Sequence, residues 1–197
     1  MNGFERRTRE NKERVLKSAF ELMNASEDGN TTIDDIVKHS NVGKTTIFKY
    51  FGSKDNLINE VYKYILDEMM KKAAKVLDQN KSFEDTLATL TFNKIELLNK
   101  ISNQFYSRMM EYITQKDEGG LSLVMETYTK HSYNMMLDFF HRGRKEGKID
   151  LKYSDEFLLL YFQAIVEGLS NKQIYEKAKN YTEEWTEMLI KGIAPNK

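Results

Sequence analysis

Lys38, Lys44, Lys49 and Lys54 fall in a stretch, Ile36 to Lys54, that contains no Asp or Glu. Thr45, Thr46, Phe48 and Tyr50 lie among them. At helical spacing Lys44, Thr45, Phe48 and Lys49 share one side, while Ile47 and Phe51 fall on the neighbouring side. The polar side carries chemistry suited to nucleic acid. Lysine ammonium groups can reach phosphates or guanine edges, and threonine can donate to phosphate or touch a thymine methyl. The Phe48 ring can lie against thymine methyls or sugars. Acids would repel phosphate, which accounts for their absence. A lysine and threonine pattern alone better describes a solvated helix face, so the surrounding elements decide between the two.

Other chemistries find little footing. The chain has 197 residues and no cysteine, which excludes disulfides, thiolate metal sites and thiol catalysis. Lys+Arg and Asp+Glu balance at 30 each, so the basic stretch is a local patch and not a property of the whole protein. Gly43-Lys44-Thr45 lacks the upstream glycine and the strand of a phosphate-binding loop. No Ser–His–Asp or paired-carboxylate arrangement can be placed. His39 ends a short helix, where a cation suits the dipole. His131 and His141 lack the i, i+4 spacing of a two-histidine metal site. We expect no enzyme, no metal and no cofactor. The opening "MNGFERRTRENKER" has no apolar run, and no segment is long enough to cross a membrane, so a cytoplasmic protein is expected.

The elements that must position the lysines are all helical. There is a single proline, Pro195, and Lys, Glu, Leu and Met, all good helix formers, are plentiful. The class is all-α, with about nine helices expected. The first runs from Arg6 to Asn24, with Val15, Leu16, Ala19, Phe20 and Met23 on one face. Thr31 and Thr32 before Asp34 and Asp35 have capping-box spacing and open the second. "HSNVG" ends it, and a third short helix covers Lys44 to Tyr50. Ser53 offers an N-cap to a long fourth helix through Leu77. Ser82 and Asp85 open another, to Ile101. Further helices are predicted over Asn103–Thr114, Leu121–Glu146, Asp155–Tyr175 and Thr182–Ile193, with breaks at "QKDEGG", "EGKIDLKYS" and "EKAKNY".

Two short helices joined by a turn, on a longer preceding one, describe a helix-turn-helix unit. The run "TTIDDIVKHSNVGKTTIFKYFGSKDNL" resembles the signature of the TetR-like bacterial transcriptional regulators. The likeness extends over roughly Val15 to Val61. It implies a DNA-binding domain over residues 1–54, a long connecting helix over about 54–78, and an effector-binding and dimerisation domain over 79–197. It also implies that Thr32 and Lys54 contact phosphate, and that Lys44, Thr45 and Thr46 sit at the base-reading start of the recognition helix. Phe48, Lys49 and Tyr50 would take the aromatic-rich positions that follow. Many relatives have Tyr where this chain has Phe48. The partners implied are operator DNA, a second copy of the chain and a small-molecule effector, with no membrane.

Two features bear on the C-terminal block. "FLLLYFQAIVEGL", Phe157 to Leu169, is apolar almost all round, which means burial on more than one face. A dimer interface built from Phe157, Leu158, Tyr161, Phe162, Ile165 and Leu169, with Trp185, Met188 and Leu189, is one reading; the central core helix of a monomer is the other. Aromatic and methionine side chains also crowd the middle of the chain, among them Phe105, Tyr106, Met109, Tyr128, Tyr133, Met136 and Phe162. They suit a pocket for an apolar or aromatic effector, and each alone suits a helical core. Glu167, within the apolar run, is open to a cationic ligand, solvent or an interface.

Overall fold

The structure is a computed structural model and describes residues 2–26, 31–79, 81–114 and 123–196. Among these residues every regular element is a helix: α1 (Gly3–Ala25), α2 (Ile33–Ser40), α3 (Lys44–Phe51), α4 (Lys54–Leu77), α5 (Phe83–Lys100), α6 (Asn103–Thr114), α7 (Leu123–Lys145), α8 (Asp155–Ser170), α9 (Lys172–Ala178) and α10 (Thr182–Ile193). A 3₁₀ turn, Lys179–Tyr181, leads into α10. The all-α class is as expected.

Side-chain caps set most of the boundaries. α1 starts ahead of Arg6 because Asn2 and Glu5 form a full capping box: Asn2 Oδ1 accepts from the Glu5 amide at 2.9 Å and Glu5 Oε2 from the Asn2 amide at 3.0 Å. Ser53, Ser82 and Ser154 accept from the Asn56, Asp85 and Phe157 amides at 3.1, 3.0 and 3.1 Å and open α4, α5 and α8. One expectation needs correcting. The segment Asp155–Tyr175 is two helices, not one. Asn171 is extended (φ −63°, ψ 122°), and its side chain accepts from the Gln173 and Ile174 amides. A short amide side chain that satisfies these N–H groups stops α8 and starts α9. The break at "QKDEGG" and the expected start of α7 at Leu121 lie outside the described residues, as does most of "SEDGN".

The chain forms two compact units, neither continuous in sequence: Met1–Glu68 with Ile101–Glu126, and Met69–Lys100 with Thr127–Lys197. In the first, α1 packs on α2, α3 and α6. Val15, Ala19, Ile36, Ile47, Leu57 and Val61 are almost fully buried. The ring of Phe105 meets Phe20 edge-on at 5.1 Å and Tyr62 at 5.4 Å, which ties α6 to α1 and α4. Asn24 Oδ1 accepts from the Ser102 amide at 2.7 Å just ahead of α6. The second unit is built on α5, α7, α8 and α10. Phe83 stacks on Phe139 at 4.6 Å and Phe140 on Phe162 at 5.7 Å, with Leu87, Leu158 and Leu189 completing the cluster.

Candidate nucleic-acid interface

The helix-turn-helix is α2, a three-residue connection and α3. Thr32 caps α2. Its hydroxyl accepts from the Asp35 amide at 3.1 Å and donates to Asp35 Oδ2 at 2.5 Å. The hydroxyl first, and then the Thr32 amide, which donates to the same Oδ2 at 3.3 Å, hold the Asp35 carboxyl below its ordinary value of 3.8. The hydroxyl proton of Thr32, the residue expected on phosphate, is thus directed at Asp35. The turn depends on Asn41, which is left-handed (φ 53°). Its amide donates to Val37 O at 3.0 Å, and the next amide, of buried Val42, donates to Ser40 Oγ at 3.3 Å. Asn tolerates this region better than most side chains, so the connection stays short.

Gly43 caps α3 with no side chain, and the first turn of α3 holds no acid. A helix start of that kind presents amide N–H groups and the positive end of the dipole to an anion. Ile47 and Phe51 are buried. Opposite that edge Thr45 and Lys49 are exposed, with Phe48 at 40% exposure beside them, whereas Thr46 and Tyr50 are half-buried. Lys44 and Lys54 are exposed at the starts of α3 and α4. Gly52 (φ 77°) ends α3 in a conformation that side chains resist, which allows α4 to begin immediately. The recognition residues named from sequence therefore share one unit, with Lys44, Thr45, Phe48, Lys49 and Lys54 open to solvent and Thr32 engaged in its cap.

Two residues that the sequence reading did not link to α3 contact it. Lys12 of α1 places its ammonium 5.7 Å from the centre of the Tyr50 ring. Asp34 Oδ1 of α2 lies 3.0 Å from Lys44 Nζ. The window from Ile36 to Lys54 is free of acid in sequence, and not in space.

The remaining candidates are dispersed. Phe105 and Met109 are buried within the first unit, and Tyr106, on the same helix, is 41% exposed. Tyr62, packed between Phe105 and Tyr112, is pushed up from 10.0 by burial. In the second unit Phe162 belongs to the core and Met136 packs against it, whereas Tyr128 is half-buried and Tyr133 is 45% exposed. Among the dimer candidates Leu158, Phe162, Leu169 and Leu189 are buried, and Tyr161, Ile165 and Trp185 are half-buried. Phe157 and Met188 are exposed, joined by Leu160 at 63%. Glu167 is exposed and accepts from Gln163 Nε2 at 2.8 Å. Gln173, Ile174, Lys177, Ala178, Tyr181 and Trp185 line an open cavity of about 360 Å³ that touches none of the pocket candidates. No helix among the described residues is long and apolar enough to cross a membrane.

A short helix pair with an exposed, acid-poor second helix, held on a longer first helix, defines a helix-turn-helix protein. The family model for bacterial regulatory proteins of the tetR family matches residues 15–61, the stretch that holds the helix-turn-helix. An uncharacterized HTH-type transcriptional regulator of Bacillus subtilis (strain 168), YhgD, is 33% identical over 66 residues, which cover 34% of this chain and 35% of that protein. The match thus spans about a third of that relative's length. A TetR family transcription regulator from Marinobacter aquaeolei VT8 shares the fold, with a TM-score of 0.66 at 14% identity over 98% of this chain and 100% of that one. So does the transcriptional regulator FadR from Bacillus subtilis, solved in complex with stearoyl-CoA, with a TM-score of 0.66 at 14% identity over 92% and 98%.

Proposed function

We propose that this chain is a homodimeric, sequence-specific DNA-binding transcriptional regulator, a repressor released from its operator by a small-molecule effector. One observation carries the reading: the exposed face of α3, with Lys44, Thr45, Phe48 and Lys49 around a helix start that lacks both an acid and a side-chain cap. Lys44, Thr45, Thr46 and Lys49 read base edges, Phe48 and Tyr50 pack on methyls and sugars, and Lys54 grips phosphate. Thr32 reaches phosphate by turning its hydroxyl away from Asp35. The protein acts in the cytoplasm, on chromosomal DNA.

A second copy is supported by an apolar surface that the unit leaves uncovered. Phe157 (49%), Leu160 (63%) and Met188 (66%) are exposed on α8 and α10. Two recognition helices set 34–36 Å apart then read two half-sites. The effector is apolar or aromatic and acts by population shift, binding better to the conformation with wrongly spaced recognition helices. Its support is the wealth of aromatic and methionine side chains in residues 105–162, together with the stearoyl-CoA bound by FadR. Long-chain acyl-CoA is accordingly the first compound to try. α4, which contributes to both units, transmits the change.

Fluorescence anisotropy with a duplex from the DNA upstream of the coding sequence tests this, with a scrambled duplex as competitor at two salt concentrations. Tight, salt-sensitive binding that survives the competitor is expected. Equal, weak binding to both duplexes would refute a specific regulator of its own upstream region.

A further inference from the structure

Asp34 and Lys44 are ten residues apart in sequence and joined across the helix-turn-helix by a 3.0 Å contact. Both side chains are open to solvent, with 67% of Asp34 and 55% of Lys44 exposed. The pair is therefore not there for the core, and an ion pair so exposed stabilises little. Its place is informative. Lys44 is the first residue of α3, beside the uncapped helix start, so the carboxylate stands at the edge of the surface that meets DNA. The neighbouring acid, Asp35, is committed to Thr32 through the capping box, whereas Asp34 is directed at Lys44.

A carboxylate there opposes phosphate in two ways. It adds negative charge beside a polyanion, and it occupies a cation that would otherwise neutralise a phosphate. The same contact leaves Lys44 free to read a base. An ammonium has three N–H donors, and one directed at Asp34 leaves two for the O6 and N7 acceptors of a guanine. We propose that Asp34 is a specificity-determining residue: by holding Lys44 it suppresses phosphate-driven binding to any duplex and keeps the ammonium for a guanine edge. The inference rests on the DNA-binding reading above. It concerns a residue that would otherwise count as an unfavourable charge on a DNA-binding face.

Asp34→Asn removes the charge at constant size, and Asp34→Glu keeps it. Anisotropy titrations over a salt series, with the upstream duplex and with the scrambled one, read the effect. Asp34→Asn should bind the scrambled duplex roughly three- to tenfold more tightly, and its salt slope should steepen by about one as Lys44 turns to phosphate. The gain on the upstream duplex should be smaller, so the ratio between the two falls. Asp34→Glu should retain the wild-type ratio. In Lys44→Ala, adding Asp34→Asn should leave the salt slope unchanged, since the cation it released is gone. Circular dichroism of each variant should match wild type, because both side chains are exposed. Unchanged or weaker binding of Asp34→Asn to the scrambled duplex overturns the proposal, and so does an equal gain on both. If wild type binds neither duplex, the DNA-binding reading itself fails and takes this proposal with it.

Discussion

Lys49 and Lys54 are both exposed lysines near the same turn, yet their positions assign them different work. Lys49 stands opposite the buried Ile47–Phe51 edge of α3, on the face proposed to enter the groove. Lys54 opens α4 beyond the Gly52 turn, outside α3, and the proposed role for it is phosphate contact. Lys54→Ala should therefore weaken every duplex alike and reduce the salt slope by about one. Lys49→Ala should cost about 1–3 kcal/mol on the operator and relax discrimination at one base pair. Anisotropy on specific and scrambled duplexes separates the two patterns; identical behaviour would contradict the assignment. At this scale the exposure of Thr45, Phe48 and Lys49 could be read from sequence, because a period of 3.6 puts them on the polar side of a helix whose apolar side is Ile47 and Phe51. Lys12 and Asp34 could not, since nothing local links either to α3.

Among the elements, α7 and the chain that follows it show why one glycine stands in a long helix. A Cβ on Gly143 would run into the Phe83 ring and lie 2.8 Å from Ile149 Cδ1. Phe83 is itself stacked on Phe139, and Ile149 is buried in the loop that turns back from α7. Alanine usually gains up to about 1 kcal/mol over glycine in a helix. Here the overlap with two core side chains outweighs that gain, and Gly143→Ala should destabilise the protein by about 1–3 kcal/mol. The midpoint of urea unfolding checks it, and a variant as stable as wild type would mean the Phe83 ring moves freely. The loop itself is held by ion pairs. Arg144 Nη1 donates to Asp155 Oδ1 at 2.5 Å and Arg144 Nη2 to Tyr153 O at 2.9 Å, while Lys148 Nζ meets Glu84 at 2.6 Å.

Over the whole molecule, charge pairs and the uncovered apolar surface give two expectations. Several carboxyls sit below their ordinary values: Asp35 through the Thr32 hydroxyl, Glu84 through Lys148, and Asp150 through the Lys152 amide and side chain. Burial works against Asp155, yet Arg144 and His141 still bring it below 3.8. Where the folded pKa is depressed, the unfolded chain binds more protons and stability rises with pH. These contributions are complete above 3.8 for Asp and 4.5 for Glu and are lost as pH falls through the folded values. Lys148 and Lys152 are raised above 10.5, so their share is complete below 10.5 and is lost as pH rises through the folded value. Urea midpoints should hold steady from about pH 8 to pH 5 and fall below about pH 4.5. A midpoint unchanged at pH 3 would mean that these pairs add nothing. Leu160→Glu puts a charge on the exposed side of α8, at a residue 63% open to solvent. Sedimentation should show the wild type as a dimer and the variant as a monomer, with roughly half the salt slope on operator DNA because half the phosphate contacts remain. A monomeric wild type would remove the interface assigned to this surface.

By itself the sequence determined the all-α class, the helix-turn-helix and most helix starts. The reason is that those signals are local: a Ser or Thr three residues ahead of the amide it caps, a repeat of apolar residues every three or four positions, a glycine where φ is positive. Asn171 shows the limit, because its cap lies within the stretch Asp155–Tyr175 that reads as one helix. Partnership between distant residues was decided only in the tertiary structure. Periodicity marked Phe105, Met109, Met136 and Phe162 as apolar, but burial has no direction and does not name the neighbour. Packing put Phe105 against Phe20 and Tyr62 in one unit and Phe162 against Phe140 in the other. The same holds for charge. A run without acids could be counted along the chain, but the turn at Asn41 folds Asp34 back onto Lys44, and Coulomb's law depends on distance through space.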